Sequence, residues 1–314
     1  MKGSRTSAER LAIFGGALLL DRLLGEPPEG MHPVVWMGRA LAFMTDHAPT
    51  ASKKARLAYG AAGVSLLAVG SAVGADLALR FAARVGGRWP RLLVESWLLK
   101  TCLSHRGLEE AGSAVAEPLE AGDPEAARES LRSLVSRDRA SLDASLIAAA
   151  AVESLAENIS DSFTAPVLSY AAFGLPGAFF YRAVNTADAM VGYRTERFEM
   201  LGKSAARLDD ALNFIPARLT ACALVAASGG RVPGALAAMR RDRDATASPN
   251  AGWPMAAVAG SVGVVLEKPG YYVLNPEGRA PEAADIRRAI SVCRRAAVLC
   301  GVIAAALILS EKSA

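Results

Sequence analysis

The sequence predicts an all-α fold: a polytopic membrane bundle of helices with broken or re-entrant segments and an amphipathic helical region outside the membrane. Three observations support this fold class. Hydrophobic residues make up 52% of the 314-residue chain and charged residues 21%, and the mean hydropathy is +0.24. Several long windows carry no charge. The four cysteines show no paired spacing, which excludes a disulfide scaffold and a CxxC zinc site.

The uncharged windows are the basis for predicting membrane spans. They cover residues 57–75, 163–181, 245–266 and 296–310. A spanning helix needs about 20 mostly apolar residues, so the first three qualify by length and the fourth is borderline. Within residues 57–75, Gly70-x-x-x-Gly74 has a spacing that allows two helix backbones to approach closely in lipid. The alternative is a set of buried helices in a large soluble bundle.

Two of these windows contain helix-breaking residues and are therefore expected to be broken or re-entrant. The breakers are Pro166, Gly174, Pro176 and Gly177 in the first, and Pro249, Gly252 and Pro254 in the second. Proline and glycine are tolerated in membrane helices where the freed backbone groups lie beside protein or a cavity.

The chain is interpreted as one integral-membrane domain, residues 1–314, with a more polar helical insert at 80–141. Basic residues precede the apolar stretch 11–20, as in a signal peptide, but no small-x-small cleavage site follows, so a retained first helix is expected. In the insert, Asp123 and Pro124 form a helix-start signal. Leu131, Leu134 and Val135 then recur at helical spacing, which predicts an amphipathic helix.

Basic residues occur in nearly every loop, so charge does not determine which loops face the cytoplasm. They suit anionic lipid head groups or an anionic substrate. No basic stripe is interleaved with aromatic residues, and no nucleic-acid partner is expected.

The first polar cluster consists of Glu153, Glu157 and Asp161, each four residues apart. On an α-helix these carboxylates would share one face, where they repel each other unless a cation is bound. Carboxylate oxygens are the ligands that Mg²⁺ prefers, so the cluster predicts a magnesium site. A solvated carboxylate face at a helix end is the alternative.

Two further clusters follow. In the second cluster, Asn185 and Asp188 share a helical face. In the third cluster, Asp209 and Asn213 share one face, and Lys203, Arg207 and Asp210 share another, which combines cations and a carboxylate as a phosphate–metal site would. The Gly-Lys-Ser triplet ending at Ser204 is not a P-loop, because the required first glycine is absent. Caps, turns and internal ion pairs are the alternatives.

Shorter polar motifs complete the set. Asp21 and His32 are expected at the end of the first helix, and residues 248–254, Ser-Pro-Asn-Ala-Gly-Trp-Pro, form a rigid turn that includes Asn250. A lone histidine is more often structural than catalytic.

Five motifs in this order resemble the CobD/CbiB cobalamin-biosynthesis family, the adenosylcobinamide-phosphate synthases. They are Asp21…Gly25-Glu-Pro…His32-Pro-Val, the Glu-Ser-Leu-Ala-Glu-Asn-Ile-Ser-Asp run at 153–161, Asn185-Thr-Ala-Asp, the Ala-Arg-Leu-Asp-Asp run at 206–210, and the turn at 248–254. Arg137 and Asp138 are also in place. The chain departs from the usual family pattern at Ser136 and Arg139, at Ala247, at Met255, where Glu is common, and at Leu266-Glu267-Lys268, where Leu-Gly-Gly is usual. These departures concern the C-terminal wall of the site and the amine specificity.

The resemblance implies a multi-pass enzyme of the inner cell membrane that uses ATP and Mg²⁺ to join adenosylcobyric acid to 1-aminopropan-2-ol or its phosphate. It also implies partnership with other late membrane enzymes of that pathway. Combined with the residue chemistry, it assigns metal binding to Glu153, Glu157, Asp161 and Asp188, and catalysis to Glu153, Glu157, Asp209, Asp210 and His32. Substrate binding is assigned to Asp21, Asn158, Asn185, Arg194, Lys203, Arg207, Asn213 and Asn250.

Two alternatives remain open from the sequence. A Mg²⁺-dependent membrane transferase acting on a prenyl or diphosphate substrate would also use acidic helical clusters. A membrane regulator of the AmpE type would need none of them.

Overall fold

A computed structural model describes residues 6–50, 52–135, 139–193 and 195–310, and it is helical almost throughout, which confirms the all-α prediction. The helices are α1 (Ser7–Leu24), α2 (Pro33–Asp46), α3 (Lys53–Gly86), α4 (Arg88–Lys100), α5 (His105–Glu120), α6 (Pro124–Ser130), α7 (Ala144–Ile159), α8 (Ala165–Val191), α9 (Lys203–Leu212), α10 (Phe214–Ala227), α11 (Val232–Asp242), α12 (Gly252–Val262) and α13 (Ala283–Ser310). A short antiparallel hairpin, β1 (Leu266–Lys268) and β2 (Tyr272–Leu274), pairs Leu266 with Leu274.

Three helical stretches among the described residues are long and apolar enough to cross a membrane. They are α3, the continuous stretch Ala144–Val191, and α13; α9 and α10 together form a fourth candidate with a bend. The windows 57–75 and 296–310 fall within α3 and α13, as predicted. The window 245–266 qualified by length but was expected to be broken or re-entrant, and it contains only the 11-residue helix α12, which is too short to cross a membrane by itself.

The predicted breaks are found. A π-helical segment, Ser160–Thr164, separates α7 from α8. Within α8, Gly174 has φ 69° and ψ −164°, which interrupts the helix two residues before Pro176. A positive φ at this position strains any residue with a Cβ, so glycine is required for the break.

Helix-start signals are reliable here, whereas one predicted helix end is wrong. The Asp123 side chain accepts the backbone N–H of Ala126 at 3.0 Å and caps α6 as expected. The helix ends at Ser130, however, so Leu134 and Val135 lie outside it. The physical reason is a 3₁₀ turn at Leu131–Ser133, which buries Leu131 completely.

Contacts divide the chain into two compact units, which are described separately. The first unit consists of Met1–Ser104, Ala165–Leu212 and Ile303–Ala314. In it, α3 packs along α8, around a core of small and branched residues: Leu41, Val64, Ala187, Val191 and Ala205. A Cβ at Gly60 would lie 2.0 Å from the carbonyl oxygen of Leu201, so this close approach requires glycine.

The second unit consists of His105–Thr164 and Asn213–Val302. Its centre is α12, which packs against α7, α10 and α11. A Cβ at Gly260 would lie 2.6 Å from the carbonyl oxygen of Gly234, so α11 and α12 touch backbone to backbone, as helices with small interface residues do in membranes.

Large apolar side chains face outward on the candidate spans. Leu66 and Phe81 on α3 are 76% and 70% exposed, and Val302 on α13 is 62% exposed. Exposed large apolar side chains in such number on long helices are typical of contact with lipid or with a partner rather than with water. The exposure agrees with the predicted membrane bundle.

Candidate functional site

Glu153 and Glu157 open into a small polar cavity of about 160 Å³ in the second unit, called here the acidic cavity. The two residues are one helical turn apart on α7, so their carboxylates share a face. Glu153 is buried and Glu157 is exposed, so the cavity connects the interior to the surface. The lining residues are Leu134, Val135, Ala150, Glu153, Ser154, Glu157, Asn158, Met255, Lys268 and Tyr272.

Hydrogen bonds fix the polar face of α7 beside these carboxylates. The Ser154 hydroxyl donates to the carbonyl of Leu134 at 2.7 Å. The amide nitrogen of Asn158 donates to the carbonyl and hydroxyl oxygens of Ser154, both at 2.9 Å. Leu134, which the shorter α6 leaves outside a helix, thus anchors the wall of the cavity, and Asn158 lines the cavity as well. Its assignment to substrate binding stays a prediction.

Asp161 does not line the acidic cavity with the two glutamates. It lies in the π-helical segment Ser160–Thr164, one turn after Glu157. A metal-binding face shared by Asp161 and the two glutamates stays a prediction. Segments of π-helix often occur at functional sites.

The cavity also contains residues that the sequence interpretation did not assign to a site. Lys268 of β1 and Tyr272 of β2 line it, together with Met255 of α12. Met255 and Lys268 are two of the positions at which the chain departs from the resembled pattern. Lys268 reaches the cavity through the hairpin after α12, and Met255 through α12 itself; no local sequence signal relates either element to α7.

In the first unit, α8 and α9 are joined by a polar chain. The amide nitrogen of Asn185 donates to a carboxylate oxygen of Asp209 at 3.3 Å, and Arg182 donates to the amide oxygen of Asn185, also at 3.3 Å. Asp209 is 9% exposed. Two clusters that are 24 residues apart in sequence are thus brought together. We call Arg182, Asn185 and Asp209 the α8–α9 polar chain.

The other predicted residues of this region have different environments. On α9, Lys203 and Arg207 are exposed and Asp210 is half-buried. Asp188 lies against Gly192, where a Cβ would be 2.0 Å from its carboxylate oxygen, so glycine makes room for that side chain. Arg194 lies outside the described residues, as do residues 136–138.

A second polar cluster in the first unit surrounds Glu26. The Glu26 carboxylate contacts His32 Nε2 at 2.9 Å and the fully buried Lys100 Nζ at 3.4 Å. Burial would raise the pKa of Glu26, but hydrogen bonds from His32 and Ser104 and the charge of Lys100 outweigh it and lower the pKa to about 2. Lys100 was not singled out from the sequence, because its partner lies 74 residues away.

His32 has a structural role that its sequence context did not reveal. Its Nδ1 accepts the backbone N–H of Val34 at 3.2 Å and caps α2, so the ring proton is assigned to Nε2, which faces Glu26. Both ring nitrogens are engaged. A role for His32 in taking a substrate proton stays a prediction, and it would require one of these bonds to break.

Three assigned polar residues are buried. Asp21 lies in α1 and is 4% exposed. Asn213 occupies the position between α9 and α10, so the helical face that it was expected to share with Asp209 is interrupted. Asn250 accepts a hydrogen bond from Arg218 at 3.1 Å.

The described residues contain no group of three His, Cys, Asp or Glu side chains close enough to hold a metal by themselves. Mg²⁺ in enzymes is usually bound by one or two carboxylates together with water and substrate phosphates. The pair Glu153 and Glu157 supplies hard oxygen donors of the appropriate kind. The metal assignments stay predictions.

Comparison with known proteins places the chain among cobalamin-biosynthesis proteins. The family model described as "CobD/Cbib protein" matches residues 14–293. The chain is 43% identical over 274 residues to "Cobalamin biosynthesis protein CobD" of Dehalococcoides mccartyi, covering 86% of this chain and 88% of the relative. It is 41% identical over 276 residues to a probable CobD of Pyrococcus furiosus (88% and 91%), and 40% identical over 297 residues to CobD of Rhodobacter capsulatus (91% and 93%). No solved structure matches.

Proposed function

The chain belongs to the CobD/CbiB family of cobalamin biosynthesis, and on that premise we propose that it is the membrane ligase that forms the aminopropanol amide of adenosylcobyric acid. The co-substrate would be ATP, and the amine would be 1-aminopropan-2-ol or its O-phosphate. The inner cell membrane is the proposed location, beside other late enzymes of the pathway.

The proposed reaction has two steps. A carboxylate is a poor acyl donor, so a carboxylate oxygen of the corrinoid attacks the γ-phosphorus of ATP, and ADP leaves. The amine nitrogen then attacks the acyl carbon, loses a proton to a base and displaces phosphate. The products are the amide, ADP and phosphate. Phosphoryl transfer needs mainly positioning and charge neutralisation, so no protein nucleophile is required.

The acidic cavity is the observation that supports this proposal most directly. Two carboxylates on one face of a helix within a candidate span are costly to maintain, and ionisable groups in such segments generally serve function. Glu153 and Glu157 would hold Mg²⁺, which neutralises phosphate charge when bound, and one of them would take the amine proton. Asn158 would orient a polar substrate group.

The α8–α9 polar chain and its surroundings are proposed to serve substrate binding. Asp209, positioned by Asn185, would attract the ammonium form of the amine, and Asp210 would assist it. Lys203 and Arg207 are exposed on α9 and would contact phosphate groups. Asp161 and Asp188 remain proposed metal ligands.

The decisive experiment is an assay of the full-length protein in detergent with adenosylcobyric acid, ATP, Mg²⁺ and each amine in turn. Mass spectrometry would follow the amide, and a coupled assay would follow ADP. We expect ADP only when the corrinoid acid and the amine are both present. Amide formation without ATP consumption would overturn the proposed ATP-dependent step, whereas transfer of a prenyl or phosphoryl group instead would support the transferase alternative.

A further inference from the structure

An arginine in the second unit is held between two aromatic rings. The Cζ atom of Arg218 lies 3.5 Å from the ring centroid of Phe214 and 4.6 Å from that of Trp253. Its Nη1 donates to the carbonyl of Phe214 at 2.8 Å and to the side chain of Asn250 at 3.1 Å. Stacking on ring faces leaves the in-plane edge of a guanidinium available for an oxyanion.

A second arginine contacts the same indole. The Cζ atom of Arg243 lies 4.7 Å from the ring centroid of Trp253. Its carboxylate neighbour Asp244 is 82% exposed and contacts Arg243 Nε at 3.4 Å. Two guanidinium groups at one ring repel each other, and one exposed carboxylate compensates for only part of their charge. We call Arg218 and Arg243 the arginine pair.

The loop at residues 243–251, which carries Arg243 and leads to Trp253, is held by hydrogen bonds within itself. The Ser248 hydroxyl accepts the backbone N–H groups of Asn250 and Ala251 at 3.2 and 3.3 Å, and the Thr246 hydroxyl donates to the carbonyl of Ser248 at 2.9 Å. A Cβ at Gly252 would lie 2.1 Å from the carbonyl oxygen of Arg243, so glycine is needed for the loop to close. Arg243 and Trp253 are therefore held on a fixed loop backbone, and Arg218 is held on helix α10.

The positive charge of Arg218 lies in a segment where charges are uncommon. Arg218 lies in the second turn of α10, which is part of a candidate membrane span. A cation in such a segment is costly unless it is paired or serves a ligand. Both arginines are only half-buried, so the arginine pair is accessible from outside the protein.

We propose that the arginine pair, with Trp253 as its platform, binds a phosphate group. Two guanidinium groups suit a phosphate dianion, which accepts several charge-assisted hydrogen bonds. The site is linked to the acidic cavity through the first turn of α12, because Trp253 belongs to the arginine site and Met255 lines the cavity. The proposal rests on the proposed function only for the identity of the phosphate-bearing substrate.

Trp253 makes the site observable without turnover. The other tryptophans, Trp36, Trp89 and Trp97, would be replaced by Phe, leaving Trp253 as the only indole. Its fluorescence would be titrated at constant ionic strength, without Mg²⁺ or corrinoid, with inorganic phosphate, O-phosphoethanolamine and ATP. A parallel arm would use vesicles of phosphatidylglycerol against vesicles of phosphatidylcholine.

We expect a saturable change with at least one phosphate compound. R243Q should weaken binding about tenfold or more, as expected for a lost charge-assisted hydrogen bond. The matched control R240Q removes the same charge from an exposed position of α11 and should leave binding within about twofold. R218K keeps the charge but not the planar stack, and should also weaken binding.

The outcomes separate this proposal from the ligase proposal. Saturation by O-phosphoethanolamine or ATP supports a substrate phosphate, and a response to phosphatidylglycerol vesicles alone supports a lipid head group at the same site. No saturable response in the parent protein, or equal effects of R243Q and R240Q, would overturn the phosphate site even if the protein is an active ligase. A response in a protein without ligase activity would leave the site intact.

Discussion

The side chain of Asn185 donates a hydrogen bond to the Asp209 carboxylate at 3.3 Å, and so joins α8 to α9. This pair can be exchanged without losing the bond, because an amide at position 209 can donate to a carboxylate at position 185. Exchanging the two side chains therefore tests the structural role of the pair separately from its role toward substrate.

Asn185→Asp alone should destabilise the protein by about 1–3 kcal/mol, because two carboxylates would face each other in a largely buried place. The double change Asn185→Asp with Asp209→Asn should recover most of that loss. Thermal unfolding in detergent measures the stability. Ligase activity should stay low in the double variant, since the charge has moved from Asp209; full activity there would show that Asp209 acts only in packing.

Glu153→Gln and Glu157→Gln should each lower the ligase rate about 10²-fold or more, as expected for loss of an acid–base or metal-binding group. Glu267→Gln is the matched control, because Glu267 is exposed on β1, next to the cavity residue Lys268. Amide formation would be measured across a range of Mg²⁺ concentrations. A folded Glu157→Gln protein with unchanged rate and Mg²⁺ dependence would contradict the assignment.

The Glu26 cluster should make stability depend on acidity. The pKa of Glu26 is lowered to about 2 in the folded protein from an ordinary value of 4.5. The folded state therefore binds its proton less readily, so stability from this carboxylate is complete above about pH 4.5 and is lost as the pH falls toward 2. Thermal midpoints over this range would show the loss, and Glu26→Gln should remove this part of it. An identical pH profile in both proteins would rule out the contribution.

Replacing two glycines of α3 by alanine should affect the stability of the protein very differently. Gly60→Ala should destabilise by about 1–3 kcal/mol, because its Cβ would meet the carbonyl oxygen of Leu201. Gly74→Ala should be close to neutral, since nothing lies within 4 Å of a Cβ placed there. Unfolding measured at several protein concentrations would test both. Strong destabilisation by Gly74→Ala would show that another molecule packs on that face.

Hydropathy and start signals predicted the helices whose ends are determined locally. The window 57–75 lies within α3, and Asp123 caps α6 as its sequence indicated. The window 245–266 is long enough for a span by its lack of charge, yet it contains only the short helix α12. Nearly all of α12 is buried inside the second unit, so its lack of charge reflects burial in protein and not length across lipid.

The candidate site was predicted where its residues are neighbours in sequence. Glu153 and Glu157 share one helix face, which could be predicted from their spacing, and Asn158 follows Glu157 directly in the chain. Lys268 reaches the same cavity through a hairpin, and Lys100 meets Glu26 from another helix. Contacts of this kind depend on tertiary packing, which no local pattern encodes. Asp161 continues the same spacing but lies in the π-helical segment and is not among the residues that line the cavity, a difference that spacing alone does not reveal.

The π-helical segment Ser160–Thr164 makes this part of the chain unusually sensitive to length. An α-helix advances about 100° per residue, so deleting one residue from the segment would rotate the segment's following side chains by about that angle relative to α7. Phe163, whose ring centroid lies 5.4 Å from that of His105, would then no longer meet that ring. Substitutions within the segment should be tolerated far better than a single-residue deletion.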